Sequence, residues 1–397
     1  MFIKPINTLL AVLLFCTVSV SAQKKAAKYP SLFWEITGNG LAKPSYLFGT
    51  MHVSSKLVFH LSDSFYLALK SVDAVALELN PDTWQGEMVT MNNIKQNYAD
   101  FAGTPRSSYL TQYSFRIDAY DDELKAAMSS EPTIVNSLLY RSYKAKEDFE
   151  EDTFLDLYIY QTGKKLGKRA TAVENYFETE KIVMEAYADM AKEKKRRYAD
   201  TDGESRYDIV EKTQDAYRRG DLDLMDSLDR MMDRSEAFTE KFLFKRNEIQ
   251  ANSMDTIMKK SSLFVGVGAA HLPGPRGVIE LLRTMGYTLR PIYMTDRDAA
   301  QKEEVDKMKM PVNFTTQTAD DGFFSVAMPG PLFKLSGENQ KLDRRQYSDM
   351  ANGAFYLVTR IKTHAVFLGQ NEKDVLSKVD SILYENIPVK ILSKKTI

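Results

Sequence analysis

Two histidines in this sequence stand at the same distance from a glycine that ends a short apolar run. The first motif is GTMH, from Gly49 to His52, and the second is GAAH, from Gly268 to His271. The chain contains 4 histidines in total, so half of them share this spacing. Imidazole is the side chain that most readily exchanges protons near neutral pH, and it is also a common ligand of divalent metals. The repeated spacing therefore indicates one chemical site that contains both histidines.

A carboxylate and a polar pair are also placed to join such a site. Glu78 ends the apolar run AVALE, and Arg246 with Asn247 lies on a predicted helix that leads into the second histidine motif. Two imidazoles and one carboxylate can hold a divalent cation, and they can equally serve as an acid–base set. An arginine beside them could bind a substrate carboxylate or stabilise a developing oxyanion. The residue types leave the metal and the acid–base interpretations open.

Each of these residues has a simpler explanation when it is considered alone. A histidine after a strand is more often a hydrogen-bonded loop residue, and Glu78 could pair with any nearby lysine. The matched spacing and context of His52 and His271 favour chemistry over that explanation. For His60 and His364, which share no such pattern, we expect structural roles.

Alternating strand and helix patterns predict the framework that holds these residues. Strands are predicted at Leu32–Thr37 and Ser45–Phe48, joined by the turn residues GNG, and then at Ala74–Leu79 after an amphipathic helix. A second half repeats the pattern, with a buried-type strand at Leu263–Val267, a helix, and a strand at Tyr287–Tyr293. Strand, helix and strand in this compact order predict parallel pairing.

Parallel strands explain how residues far apart in the sequence can meet. In open parallel sheets, ligands bind beyond the carboxyl ends of the strands. His52, Glu78 and His271 each follow such an end, so we expect them to converge at one edge of the sheet. The predicted fold class is α/β, with two βα halves that share a mostly parallel sheet, a large helical insertion between them, and a small α+β unit at the C-terminus.

The boundaries follow from changes in composition. We predict an α/β domain at residues 30–296, with a charged and mostly helical insertion at 82–257. Within the insertion, one short strand-like run ends at Glu174. Residues 297–311 have the composition of a linker, and 312–397 form the C-terminal α+β unit. The sequence stops directly after the last predicted strand, which leaves an incomplete unit as one expectation.

The first residues have the pattern of a secretory signal peptide. A lysine at position 4 precedes an apolar run, and the small residues VSA end at Ala22. We therefore expect residues 1–22 to be removed and the mature protein to be secreted or periplasmic. The only cysteine, Cys16, lies in this segment, so the mature protein would have no thiol chemistry. No later apolar run is long enough for a membrane span.

The charge balance bears on the class of partner. Lys and Arg number 53 against 54 for Asp and Glu, which gives a net charge of −1. A dedicated nucleic-acid-binding protein would normally carry a basic excess. We therefore expect a peptide or small-molecule substrate and no nucleic-acid partner.

Several of these segments together resemble the TraB/PrgY/GumN family. They are LFWEIT with SYLFGTMHVSS, then VDAVALELNP, then RN on a late helix, then FVGVGAAHLPGPRGVIELLRTMGYTLRPI. The resemblance runs from about Leu32 to Tyr293 and is weaker in the middle. There the sequence has Ala172-Val173-Glu174 in place of the family's Gly-Leu-Glu, which leaves the role of Glu174 open.

The resemblance implies a set of site residues and more than one reaction. His52 and His271 would be the motif histidines, Glu78 the conserved acid, and Arg246 with Asn247 the polar pair that lines the site. Similarity to the Tiki metalloproteases implies a divalent metal and peptide-bond cleavage by water. His52, His271 and Glu78 would hold the metal, or Glu78 would act as the general base instead of as a ligand. Mn, Co or Zn would suit this mixed N/O ligand set.

Two other functions stay open at this stage. Similarity to erythromycin esterase, which shares the fold, implies water attack assisted by histidine without a metal. The other is a non-catalytic protein that sequesters a small hydrophobic ligand, a peptide or haem in the same cleft; the family also shares its fold with the haem-binding ChaN proteins. An enzyme would turn over a peptide library and lose activity with chelator, whereas a binding protein would hold a stoichiometric ligand. Intact histidine motifs argue against a degenerate scaffold.

Overall fold

The computed structural model describes residues 27–51, 61–91, 155–192, 206–232, 235–294, 300–334 and 342–361, with single positions at 371, 373 and 377. The predictions for the signal peptide, for His52, His60 and His364, and for most of the last predicted helix and strand fall outside these residues. None of the helices in the described ranges combines the length and hydropathy that a membrane span requires.

A six-stranded sheet forms the centre of the α/β region. Its strands are β1 Phe33–Gly38, β2 Ser45–Thr50, β3 Ala74–Leu77, β4 Arg169–Ala172, β5 Leu263–Gly268 and β6 Tyr287–Ile292. They lie in the order β4-β3-β5-β2-β1-β6. The pairs β4–β3, β3–β5 and β5–β2 are parallel, whereas β1 pairs antiparallel with both β2 and β6. The α/β prediction with a mostly parallel sheet is therefore confirmed.

The strand that carries the second histidine motif, β5, lies between β2 and β3. β2 and β3 run parallel, as the sequence predicts, but they are not neighbours. All residues of β5 except Gly268 are buried, as expected of a strand covered on both faces. A methyl group at Gly266 would lie 2.9 Å from Ile159 Cδ1, so the glycine allows close approach of a helix. The insertion of β5 brings His271 next to the strand of Glu78.

Helices cover the sheet, and most of them belong to the predicted insertion. Aromatic rings pack beneath the first helix, where Phe65 meets Phe48 and Phe264 at centroid distances of 5.3 and 5.2 Å. A π-helical segment, Glu240–Lys245, joins α6 to α7. The helices are α1 Asp63–Ser71, α2 Leu155–Lys165, α3 Tyr176–Lys192, α4 Arg206–Arg218, α5 Leu222–Met231, α6 Glu236–Thr239, α7 Arg246–Met258, α8 Val278–Thr284 and α9 Ala300–Lys307, with a further helical segment at residues 84–91.

The C-terminal region forms two small antiparallel sheets. Residues 297–311, predicted as a linker, include α9, which packs on α1 and buries Val305. The side chain of Gln85 exchanges two hydrogen bonds with the backbone of Ser348, at 2.6 and 3.0 Å. The strands are β7 Thr315–Thr318, β8 Ser325–Met328, β9 Phe333–Lys334, β10 Leu342–Asp349 and β11 Ala354–Ile361.

Candidate active site at the carboxyl ends of the parallel strands

Two side chains of the predicted site, those of Glu78 and His271, meet beyond the carboxyl ends of the parallel strands. Glu78 directly follows β3, and His271 ends the short 3-10 turn after β5. Thr50 at the end of β2 lies opposite Gly268, so the GTMH motif leads away from the same edge. His52 itself lies outside the described residues, and its place in the site stays a prediction. Its motif partner His271 is 5% exposed.

His271 is oriented by Asn247. The Asn247 amide nitrogen donates to the backbone oxygen of Arg276 at 2.8 Å, which turns the amide oxygen toward the imidazole. That oxygen lies 2.6 Å from His271 Nδ1 and can only accept, so Nδ1 carries the hydrogen. The neutral ring then presents the lone pair of Nε2. Asn247 thereby selects the tautomer that can accept a proton or bind a metal at Nε2.

Glu78 is held on both carboxylate oxygens. The backbone N–H of Gly268 donates to Oε1 at 2.9 Å, and Arg246 Nη2 donates to Oε2 at 2.7 Å. His271 Nε2 lies 3.7 Å from Oε1. Each carboxylate oxygen carries two lone pairs and can therefore accept more than one hydrogen bond. The imidazole and the carboxylate are therefore fixed side by side with their reactive atoms facing each other.

Glu174, which the sequence left without a role, lies directly behind this pair. The backbone N–H of Glu174 donates to the backbone oxygen of Glu78 at 2.9 Å, which extends the β3–β4 pairing beyond the strands. Its carboxylate has no exposed surface and accepts from Arg246 Nε at 3.1 and 3.0 Å. Gln250 and Thr179 each donate to it at 2.6 Å. Thus a buried carboxylate anchors the arginine.

Arg246 takes a different position from the one that its type suggested. We expected the guanidinium to meet a substrate carboxylate or an oxyanion, but it is 3% exposed and bridges Glu78 and Glu174. It also packs over the Phe242 ring, 5.5 Å from the centroid, in the π-helical segment just before it. Short π-helical segments frequently accompany functional sites. In the described contacts, Arg246 positions the acid of the site.

The charges of Arg246, Glu174 and Glu78 influence one another's pKa values. Burial raises the pKa of Glu174 above its ordinary value, and the charge on Arg246 opposes that rise. Burial also acts to lower the pKa of Arg246, but Glu78 and Glu174 outweigh it, so that its pKa is raised overall. One buried cation thus serves two carboxylates, and it stays charged throughout the physiological range.

A cavity of about 310 Å³ opens beside these residues. Its lining combines Glu78, Arg246 and His271 with a largely apolar wall and one more buried acid, Asp156 of α2. The described residues that line it are Thr50, Met51, Leu77, Glu78, Leu79, Asp156, Thr179, Thr213, Met225, Phe242, Arg246, Gly268, Ala269, Ala270 and His271.

Sequence reasoning missed Gln250, Thr179 and Asp156. A signal existed for Gln250, because Arg246 and Gln250 are four residues apart and therefore on one face of α7. Thr179, in the first turn of the helix that follows Glu174, gave a weaker signal. Asp156 lies in the buried part of α2, among residues that periodicity assigns to the core.

Comparison with known proteins identifies the family of the chain. The sequence model of the TraB/PrgY/gumN family matches residues 32–291, which is more than half of the chain. A search of curated proteins gives no match, and a search of solved structures gives none either. The matched segment begins at β1, ends in β6 and contains every residue of the site described above. The chain is therefore a member of the TraB/PrgY/gumN family.

Proposed function

We propose that the protein is a secreted or periplasmic hydrolase that cleaves peptide bonds by activating water between Glu78 and His271. The observation that carries this proposal is the distance of 3.7 Å between His271 Nε2 and Glu78 Oε1, with both groups held by further hydrogen bonds. Fixed acid–base groups beside a cavity are what hydrolysis by water requires.

In this proposal His271 and Glu78 transfer protons, and neighbouring residues orient them. A water molecule between the two groups would give its proton to Nε2 of His271 or to Oε1 of Glu78 while its oxygen attacks the substrate carbonyl. The same group would then return the proton to the leaving nitrogen. Arg246 and the Gly268 N–H hold the Glu78 carboxylate in orientation, and Asn247 holds the imidazole. Such orientation reduces the entropy lost on reaching the transition state.

The donor set fits a divalent cation. Ligands bound at about 2.1 Å in tetrahedral geometry are about 3.4 Å apart, close to the observed separation of His271 Nε2 and Glu78 Oε1. In the selected tautomer, Nε2 carries the lone pair that binding a metal requires. Among the described residues, no cluster of three or more His, Cys, Asp or Glu side chains is arranged for a metal ion, and the third predicted ligand is His52.

His271, Glu78 and His52 would therefore hold the cation. Bound there, Mn²⁺, Co²⁺ or Zn²⁺ would supply positive charge that polarises the scissile carbonyl and promotes ionisation of water. The protein residues would keep the roles described above, in orientation and proton transfer.

Metal-independent hydrolysis is the second candidate, and one observation favours it. Arg246 already places a permanent positive charge 2.7 Å from Glu78. Part of the electrostatic role of a metal could therefore come from the protein, as the similarity to erythromycin esterase suggests. In this case His271 would act as the general base and Glu78 would stabilise the imidazolium.

The experiment compares the mature protein, residues 23–397, with His271→Asn, Glu78→Gln and the double variant His52→Ala/His271→Ala. Glu248→Gln serves as a control, because this glutamate lies on α7 and its side chain is 41% exposed. Each protein is analysed for bound metal and incubated with a peptide library, with and without chelator, and cleavage is read by mass spectrometry.

We expect the wild type and the control to retain a divalent cation and to cleave peptides, and the site variants to lose cleavage by about 10²–10⁴-fold. Equal metal content in the wild type and the double variant would contradict the metal assignment, and cleavage that survives chelator would favour the second candidate. Stoichiometric ligand binding without any turnover would refute hydrolysis and favour a binding protein.

A further inference from the structure

We infer that the cavity beside Glu78 and His271 binds one uncharged apolar group of the ligand, either an acyl chain or a side chain, and excludes charged groups. The inference deepens the proposed function by naming the substrate class of the same site. It assigns substrate selection to residues that neither the motifs nor the resemblance pointed to.

The wall of the cavity is assembled from elements that are distant in the sequence. Leu79 follows β3, Met225 comes from α5, and Phe242 comes from the π-helical segment. Met225 is 7% exposed, so its side chain is buried in the wall of the cavity. Several apolar side chains with few polar groups are typical of a ligand pocket. In such a pocket the buried apolar area provides affinity, and the polar contacts fix the orientation of the ligand.

The size of the cavity limits what it can take. Ligand pockets range from about 300 to 1,000 Å³, and a volume of about 310 Å³ is at the small end of that range. A long peptide does not fit in such a volume, whereas a single side chain or a short acyl chain does. The cavity therefore selects the group next to the reacting bond.

The apolar wall also disfavours a charged group at the end of the ligand that enters it. The side chains of Leu79, Met225 and Phe242 carry no strong hydrogen-bonding atoms. A carboxylate or an ammonium group placed against them would give up its hydration without gaining a matching partner.

The test measures binding of neutral primary amides, from butanamide to octanamide, to the chelator-treated mature protein by isothermal titration calorimetry. We expect affinity to rise about fourfold for each added methylene until the cavity is filled, with a negative heat-capacity change. Met225→Ala should move the best chain length upward. Met231→Ala, on the same helix but 44% exposed, should leave it unchanged.

Charge is tested with two derivatives of hexanamide that carry a charge at the far end of the chain. We expect adipamate, in which a carboxylate replaces the terminal methyl group, and 6-aminohexanamide, which carries an ammonium group at that end, to bind at least about tenfold more weakly than hexanamide.

The outcomes separate this inference from the proposed function. Amide affinity that does not depend on chain length, or tighter binding of either charged derivative, would overturn the inference even if peptides are cleaved. A clear chain-length dependence in a protein that cleaves no substrate would uphold the inference and refute the hydrolase proposal. If Met225→Ala does not fold, the dependence of amide affinity on chain length in the wild type is sufficient to test the inference.

Discussion

Replacing Arg246 by glutamine tests the buried charge network directly. The arginine side chain is 4% exposed, and the Glu174 side chain that it anchors is 0% exposed. Removing the cation leaves that carboxylate buried with, among the described residues, the neutral side-chain donors Gln250 and Thr179. Breaking a buried pair in this way costs about 3–5 kcal/mol of unfolding free energy. Glu78, whose side chain is 19% exposed, should contribute less to this cost.

Urea unfolding of the variant and of a matched control measures the effect. Arg218→Gln removes an arginine from an i,i+3 pair with Asp215 in which the side chains are 37% and 59% exposed. We expect this control to lose about 0.3–0.5 kcal/mol. The slope of unfolding free energy against urea should stay the same in both variants, because the surface exposed on unfolding does not change.

The loss should also depend on pH with a defined sign. Burial already raises the pKa of Glu174 in the wild type, and removal of Arg246 removes the charge that opposes the rise. A group with a raised pKa in the folded state contributes stability that is fully present below its unfolded pKa, about 4.3, and is lost as pH rises through the folded pKa. The Arg246→Gln variant should therefore be less destabilised near pH 5 than near pH 8.

A double variant completes this test. Arg246→Gln/Glu174→Gln no longer buries an unpaired carboxylate, so we expect it to be at least about 1 kcal/mol more stable than Arg246→Gln at pH 8. The charges that we assign to Arg246 and Glu174 would be wrong if Arg246→Gln lost no more unfolding free energy than the surface control. They would also be wrong if the loss were the same at both pH values.

Three further substitutions test how the site is supported. Asn247→Leu removes the acceptor for His271 Nδ1, and we expect kcat/KM to fall about 10–100-fold with an unchanged circular dichroism spectrum; an unchanged rate would contradict the orienting role. Tyr217→Phe removes a 2.9 Å donor from the buried oxygen of Gly49, and urea unfolding should show a loss of about 1–3 kcal/mol. Gly49→Ala places a methyl group 3.2 Å from Ala269 Cα, so we expect a similar loss from overpacking; a gain in stability would refute that packing argument.

Much of the fold could be predicted from local patterns. Short apolar runs that end in glycine predicted β2 and β5, and the order of strand and helix predicted parallel pairing. From parallel pairing it followed that Glu78 and His271 meet at one edge, and they do. The physical reason is general, because parallel strands place their carboxyl ends together whatever the rest of the chain does. His52 rests on the same argument and stays a prediction.

Other features were decided only by the tertiary structure. The sequence did not reveal that β5 lies between β2 and β3, or that Arg246 binds Glu174 as well as Glu78. Nor did it identify the cavity wall that α2, α5 and the π-helical segment form. A repeated motif or an apolar run is a local property and can be recognised along the chain. The partner of a buried charge depends on how distant elements pack. An apolar face must be covered by another element, but the sequence of that face does not determine which residues cover it.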